Sequence, residues 1–152
     1  LVNGLLDLVL LFEPPQISDL VIKQVADIPL ILVSGQDGCS IEEAMERNYY
    51  MVDWGSIFTL SHAEHFPDIP PPAARLASGT LAKDLILGTG GSAYLAEQMV
   101  RQELEQGVLF QIADAPVIER TAFAVHRPGD EKREEMKKAL AALRDVGGRP
   151  RN

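Results

Sequence analysis

Few residues in this chain stand at spacings that do chemistry. His62 and His65, with Glu64 between them, come closest: in a helix, side chains three residues apart share a face, so both imidazoles could meet a metal ion there. No cysteine or third histidine accompanies them, His126 is distant in sequence, and no H-E-x-x-H pattern occurs, so the metal reading is the minor one. The run Gly88-Thr89-Gly90-Gly91-Ser92 offers backbone N–H groups of the kind that cradle a phosphate. It lacks the G-K-S/T ending, however, and it follows a helical pattern rather than a strand. A tight structural turn is the plainer reading, since glycine alone adopts φ > 0 at little cost. Cys39 is the single cysteine; it excludes an internal disulfide, fits a reducing compartment, and has no histidine nearby to activate it. No serine occupies a G-x-S-x-G turn and no pair of carboxylates stands out as acid and base. An enzyme is therefore the least supported class.

The elements that must position any site follow from composition and pattern. A chain of 152 residues with 46% hydrophobic and 24% charged residues has the make-up of one soluble globular domain, or of two small lobes. Its formal net charge of −8 argues against nucleic-acid binding by this segment, because phosphate contacts need clustered Lys and Arg. No apolar run approaches the roughly 20 residues needed to cross a bilayer. The opening Leu1-Val2-Asn3-Gly4 lacks both an initiator Met and the basic start of a signal peptide, and reads as the start of a fragment.

Residues 5–12 (LLDLVLLF) form a short, almost continuous apolar run closed by Glu13-Pro14-Pro15, the pattern of a strand buried on both faces. Residues 21–34 carry two apolar pieces split by Asp27 and Pro29, which predicts a crossing or an edge at the proline. Ser40-Ile41-Glu42-Glu43 has the form of a capping box opening a helix to about Asn48. Tyr49-Tyr50-Met51-Val52 reads as a strand, residues 56–66 as a helix with Ile57 and Leu60 on one side, and residues 74–78 as a short strand after Pro70-Pro71-Pro72. Thr80 is expected to cap a helix over 81–87 with Leu81, Ala82, Leu85 and Ile86 as its buried stripe, ending at Gly88. A strand over 91–96, a helix over 97–106 stopped by Gly107, strands over 108–112 and 121–125, and a last helix capped by Asp130 complete the series. In that helix Met136, Ala139, Leu140 and Leu143 follow the i, i+3, i+4, i+7 rule. Alternating strands and helices give an α/β class with mixed, mostly parallel sheets. Breaks near 22–29 and 113–116 suggest a chain that leaves one lobe and returns to it.

The order of these pieces resembles the effector-binding, or regulatory, domain of LysR-type transcriptional regulators. Gly4-Leu5-Leu6-Asp7-Leu8-Val9 is similar to the family's G-x-x-D-x-x-I strand. The strand at 30–33 resembles its lobe crossing, Gly88-Thr89-Gly90-Gly91-Ser92-Ala93-Tyr94-Leu95 its G-x-G-x-A-x-L-P turn, and Thr121-Ala122-Phe123-Ala124-Val125-His126-Arg127 its late strand. Ala96 stands where many members have proline. Asp53-Trp54-Gly55, Phe58 and His65-Phe66-Pro67 look like one branch of the family, which includes a regulator of flagellar gene expression. The resemblance spans roughly residues 1–144; the winged helix-turn-helix, the linker helix and the opening βαβα of the first lobe have no counterpart in the chain.

The resemblance implies a two-lobed, periplasmic-binding-protein-like (type 2) fold. Residues 1–25 and 117–146 would form an incomplete first lobe, 26–116 the second, and 147–152 a disordered tail. It implies a small-molecule effector between the lobes, at strand ends and helix starts. Carried over position by position, the candidates are Phe12 and Glu13 after the first strand, Asp53, Trp54 and Ser56 at one strand-to-helix turn, and Ser78 and Thr80 at the next. Ser56 and Thr80 also read as plain N-caps and Trp54 as core; Glu13 and Asp53 would repel an anion, which favours a neutral or cationic effector unless they point away. The glycine turn is expected to touch no ligand. No metal or other cofactor is implied. The expected setting is a cytoplasmic homodimer or homotetramer that meets DNA only through a helix-turn-helix domain outside this chain, with no membrane partner. A solute-binding protein of a transporter, built on the same two-lobed plan, is the alternative.

Overall fold

The computed structural model describes residues 8–13 and 16–146. The start of the expected first strand with its G-x-x-D motif, the Pro14-Pro15 turn and the expected tail at 147–152 lie outside the described residues. The chain divides into two compact units, one made of Leu1–Ile28 with Arg120–Asn152 and one of Pro29–Glu119.

In the first unit, β1 (Leu8–Leu11) pairs antiparallel with β7 (Ile118–His126) in the register Leu8↔His126 to Leu11↔Phe123, and β7 lies between β1 and β2 (Val21–Ser34). Alternation sends Ala122 and Ala124 of β7 to the face that Val25 of β2 shares, and Met136 and Leu140 of α5 (Glu134–Val146) close over them as one apolar cluster. β1 is half-buried, with Leu10 45% exposed, not buried on both faces as its apolar run suggests. Asp130 does not cap the last helix: it opens a 3₁₀ turn, Asp130–Lys132, with its carboxylate on Arg127 Nε at 3.2 Å, and α5 starts at Glu134.

β2 is one unbroken strand of 14 residues. Pro29 does not split it because pairing with β5 (Ser92–Ala96) begins one residue later, at Leu30↔Ala96, so the missing donor falls outside that ladder. In the second unit β2 runs antiparallel to β5 and, at Val33↔Gln111, to the short β6 (Phe110–Gln111). β5 continues in parallel to β3 (Tyr49–Val52), and β3 in parallel to β4 (Ala74–Leu76). The mixed sheet is thus parallel across β5, β3 and β4.

Helices cover both faces of this sheet. Ile31, Val33, Tyr50, Val52, Ala93 and Leu95 point to one side, where Ala82 and Ile86 of α3 (Gly79–Thr89) and Val100 of α4 (Glu97–Glu105) join them. Lys83 Nζ ties α3 to α4 through Glu103 Oε1 at 2.8 Å and the Met99 carbonyl at 3.2 Å. On the opposite side Tyr49 and Tyr94 meet Phe58, His62 and Phe66 of α2 (Ser56–His65) and its C-cap. The buried stripe of α2 is therefore Phe58 and His62; the expected Ile57 and Leu60 are 53% and 67% exposed. The capping box forms as expected, Ser40 Oγ accepting from Glu43 N and Glu43 Oε2 from Ser40 N, each at 3.1 Å, ahead of α1 (Ile41–Glu46).

The glycine run is a helix end followed by a strand. α3 passes through Gly88 and ends two residues later than the pattern predicts, with Gly90 as C-cap at φ 80°. Gly91 then sits at φ 109°, where a Cβ would lie 2.5 Å from the Asn48 carbonyl and 2.7 Å from the Tyr50 ring. Its own carbonyl accepts from Gly35 N at 3.0 Å, so the turn fastens β5 against β3 and β2. Gly91→Ala is expected to destabilise the protein by about 2 kcal/mol or more, from positive φ and the backbone clash together. Gly88→Ala, in a helix with open space around it, should instead be neutral or stabilising by about 0.5 kcal/mol. Urea unfolding of the two variants checks the pair; equal effects would contradict this assignment.

Candidate ligand-binding cleft

Strand register decides what faces what around β3 and β4. Met51 stands opposite Arg75 and Val52 opposite Leu76, and Asp53 N extends the ladder by donating to the Leu76 carbonyl at 2.9 Å. Because side chains alternate, Met51, Asp53, Arg75 and Ala77 fall on the α2 side while Tyr50, Val52 and Leu76 contribute to the α3 side. A cleft of about 340 Å³ opens at these strand ends, lined by Met51, Val52, Asp53, Thr59, Arg75, Leu76 and Ala77. Its charged groups are Asp53 and Arg75, both exposed. Asp53 Oδ1 accepts from Gly55 N at 3.1 Å, and Thr59 Oγ1 donates to the Gly55 carbonyl at 3.0 Å, so the turn from β3 into α2 is fixed by its own side chains.

A larger hollow of about 520 Å³ lies elsewhere in the second unit, between the loop at Gln36, Cys39 and Ser40 and the segment at Gln111 and Asp114. Volume favours it, but the first turn of the six-residue α1 beside it is already closed by the capping box. The smaller cleft lies at the carboxyl ends of adjacent parallel strands, the usual ligand position in α/β sheets, and brings opposite charges over an apolar floor.

Asp53 alone of the seven sequence candidates lines this cleft. Trp54 turns to the other face: its Nε1 donates to the Tyr94 carbonyl at 2.9 Å, and its ring leaves so little room that a Cβ on Gly79 would lie 2.6 Å from Cη2. Ser56 is the exposed first residue of α2. Ser78, not Thr80, caps α3, its Oγ accepting from Leu81 N at 3.4 Å; Thr80 is exposed in the first turn, and Leu81 is 48% exposed rather than part of the buried stripe. In the first unit, Phe12 packs against the apolar cluster under the Arg120 guanidinium, 3.5 Å from its ring centroid, and Glu13 is exposed. Arg75, Met51 and Thr59 were not among the sequence candidates. The available signal was the alternation in Ala74-Arg75-Leu76, which places an arginine on the face opposite the core.

His62 lies beneath the same face as a packed aromatic. It is 4% exposed, with Nε2 2.8 Å from Tyr49 Oη and its ring stacked on Tyr49, tilted to Phe58 and Phe66 and edge-on to Tyr94. His65 is exposed, and among the described residues no group of three potential ligands surrounds a metal position. Burial, then the charges of His65 and Arg75, holds the His62 imidazole below its ordinary value of 6.5. Burial likewise raises the Tyr49 and Tyr94 hydroxyls. Tyr94 Oη donates to the Pro116 carbonyl at 2.8 Å. This arrangement favours the neutral form of the His62 imidazole.

A family model described as LysR substrate binding domain matches residues 1–148. The chain belongs to this family. LysR substrate-binding domains are the effector-binding regulatory domains of LysR-type transcription regulators, and the transporter alternative is not favoured. The HTH-type transcriptional regulator HdfR of Yersinia enterocolitica (serotype O:8 / biotype 1B) is 29% identical over 129 residues, 79% of this chain and 43% of that protein. The chain thus spans less than half the length of this curated relative. Two solved regulatory domains share the fold: CcmR from Synechocystis PCC6803 in complex with 2-PG, at 22% identity and TM-score 0.71 over 98% of this chain and 77% of that one, and bromide-bound HypT from Salmonella typhimurium, at 18% and 0.74 over 95% and 75%. The type 2 periplasmic-binding-protein-like class expected from the motif order holds. Among the described residues no helix is long and apolar enough to cross a membrane.

The buried histidine makes stability depend on pH. A base whose folded-state pKa is depressed contributes stability that is complete above its unfolded value and is lost as pH falls toward its folded one. The melting temperature is therefore expected to fall as pH drops from 6.5, and in His62→Phe this part of the acid-side slope should disappear. Thermal melts of both proteins across that range check the sign; an unchanged slope in the variant would assign it to other groups.

Proposed function

We propose that this chain is the ligand-sensing part of a cytoplasmic, LysR-type DNA-binding regulator, in which a bound small molecule shifts a conformational population without chemical turnover. The family membership carries this reading, and the cleft at the ends of β3 and β4 supports it by supplying a polar, partly apolar recess on the second unit. In this reading Asp53 and Arg75 bind the effector directly, and Ser56, Ser78 and Thr80 shape the helix starts around it. Trp54 props the turn from behind. The first lobe, 1–25 with 117–146, is completed by an opening βαβα segment, and the whole protein meets DNA through a helix-turn-helix domain as a homodimer or homotetramer. The relative's greater length supports such additional segments.

A ligand that favours one geometry changes the DNA complex only by its difference in affinity for the two states. Shifting a population from 1:99 to 99:1 takes roughly 10⁴-fold preference, whereas a few-fold preference gives only a graded response. In a thermal-shift screen of small metabolites against the intact regulator, a cognate effector is expected to raise the melting temperature, equivalent to about 2.7 kcal/mol at a hundred times its Kd. The same compound should alter the protein's DNA affinity or footprint. A stabilising ligand that left both unchanged would defeat the sensing role while leaving the binding role intact.

A further inference from the structure

The β3–β4 cleft holds two opposite charges that do not satisfy each other. No ion pair joins Arg75 to Asp53, and neither has an ionic partner among the described residues; Asp53 is engaged only by the backbone of its own turn. Arg75 stands opposite Met51, so Asp53 is two residues further along the neighbouring strand. With strands about 4.8 Å apart and a rise of about 3.3 Å per residue, their Cα atoms are roughly 8 Å apart on the diagonal of one face. That separation leaves room for a small group between the two side-chain heads. The apolar side chains on this face are Met51 and Ala77, while Val52 and Leu76 line the cleft but turn their side chains to the core. The volume of about 340 Å³ is at the small end of ligand pockets, which run from roughly 300 to 1,000 Å³.

Each ligand class meets this surface differently. A simple anion would pair with Arg75 and face Asp53, a simple cation the reverse, and a neutral molecule would leave both charges partly desolvated and unmatched. A molecule bearing a carboxylate and an ammonium group one carbon apart, with an apolar tail, matches all three features at once. We propose that the effector is a free α-amino acid with an apolar side chain, its carboxylate held by Arg75, its ammonium group by Asp53 and its tail against Met51 and Ala77. The proposal rests on the reading of this cleft as the effector site.

The test uses the intact regulator. Thermal shift and calorimetry are run with L-leucine, L-isoleucine, L-valine, L-methionine and L-phenylalanine, and each is compared with the amine lacking its carboxylate and the acid lacking its amine; for leucine these are 3-methylbutylamine and 4-methylpentanoate. At least one amino acid is expected to bind, and removal of either charge should weaken binding roughly tenfold to a hundredfold, the strength of one charged hydrogen-bonded contact. Arg75→Gln should reduce the amino acid to the level of its amine, and Asp53→Asn to the level of its acid. Arg75 is exposed and Asn keeps the Oδ1 that accepts from Gly55 N, so the unliganded melting temperatures should stay close to that of the parent and keep these comparisons interpretable. Absence of binding by all five amino acids would overturn the proposal. If the acid or the amine binds as tightly as its parent, and Arg75→Gln or Asp53→Asn weakens it, the amino-acid assignment fails while the cleft stands. If an amino acid binds equally well to both variants, the cleft itself is the wrong site.

Discussion

The arrangement depends on one constraint, the parallel register that sets Met51 against Arg75 and Val52 against Leu76. Because side chains on a strand alternate, a slip of one residue would carry Arg75 into the apolar layer under α3 and turn Leu76 out to water. Burying an unpaired guanidinium there is costly enough to exclude the slipped pairing. The same alternation that builds the core thus delivers the charged pair to the opposite face. Asp53 is held to this register past the end of β3 by its backbone bond to Leu76 and by the turn its carboxylate forms with Gly55.

Two further contacts keep that register rigid. At the amino end of β3, the Gly91 backbone approaches Asn48 and Tyr50 so closely that no side chain fits, which fixes the start of β5 against β3. Behind the sheet, Trp54 is hydrogen-bonded to β5 at Tyr94 and wedged against Gly79, which joins the end of β3 to the start of α3. On the α2 side the Tyr49–His62 hydrogen bond and the surrounding rings anchor the helix whose Thr59 lines the cleft. Asp53, Thr59 and Arg75 of the cleft are exposed, while Tyr49, His62 and Gly79 behind them are buried. This division allows the exposed residues to change chemistry without unfolding the domain.

Much of the fold was legible in local sequence. The Ser40–Glu43 capping box, the strand Tyr49–Val52 and the stop of α4 before Gly107 follow from short-range chemistry, and all three form. The misses share a cause, in that tertiary packing overrode a local signal. Pro29 looked like a break, but its missing donor falls just outside the β5 ladder. Ile57 and Leu60 were read as sharing one side of α2, yet it is Phe58 and His62 that meet the aromatic partners the sheet offers. Gly88 looked like a helix end, yet nothing approaches it and the helix runs on to Gly90, whose positive φ ends it. In the proposed cleft, Asp53 came from the family resemblance, at the strand-to-helix turn after Val52. Alternation in Ala74-Arg75-Leu76 could place Arg75 on the outer face, but its position opposite Met51 pairs distant segments and no local pattern encodes it.

The proposed effector site is the α2-side face of β3 and β4. NMR mapping of the intact regulator saturated with a stabilising ligand locates the ligand, with the methyl group of Met51 and the Nε–H of Arg75 as reporters. Shifts are expected to concentrate at Met51, Asp53, Thr59 and Arg75, with little change around Gln36, Ser40 and Gln111. Shifts confined to that second group would place the ligand in the larger hollow beside α1 and rule out the β3–β4 cleft.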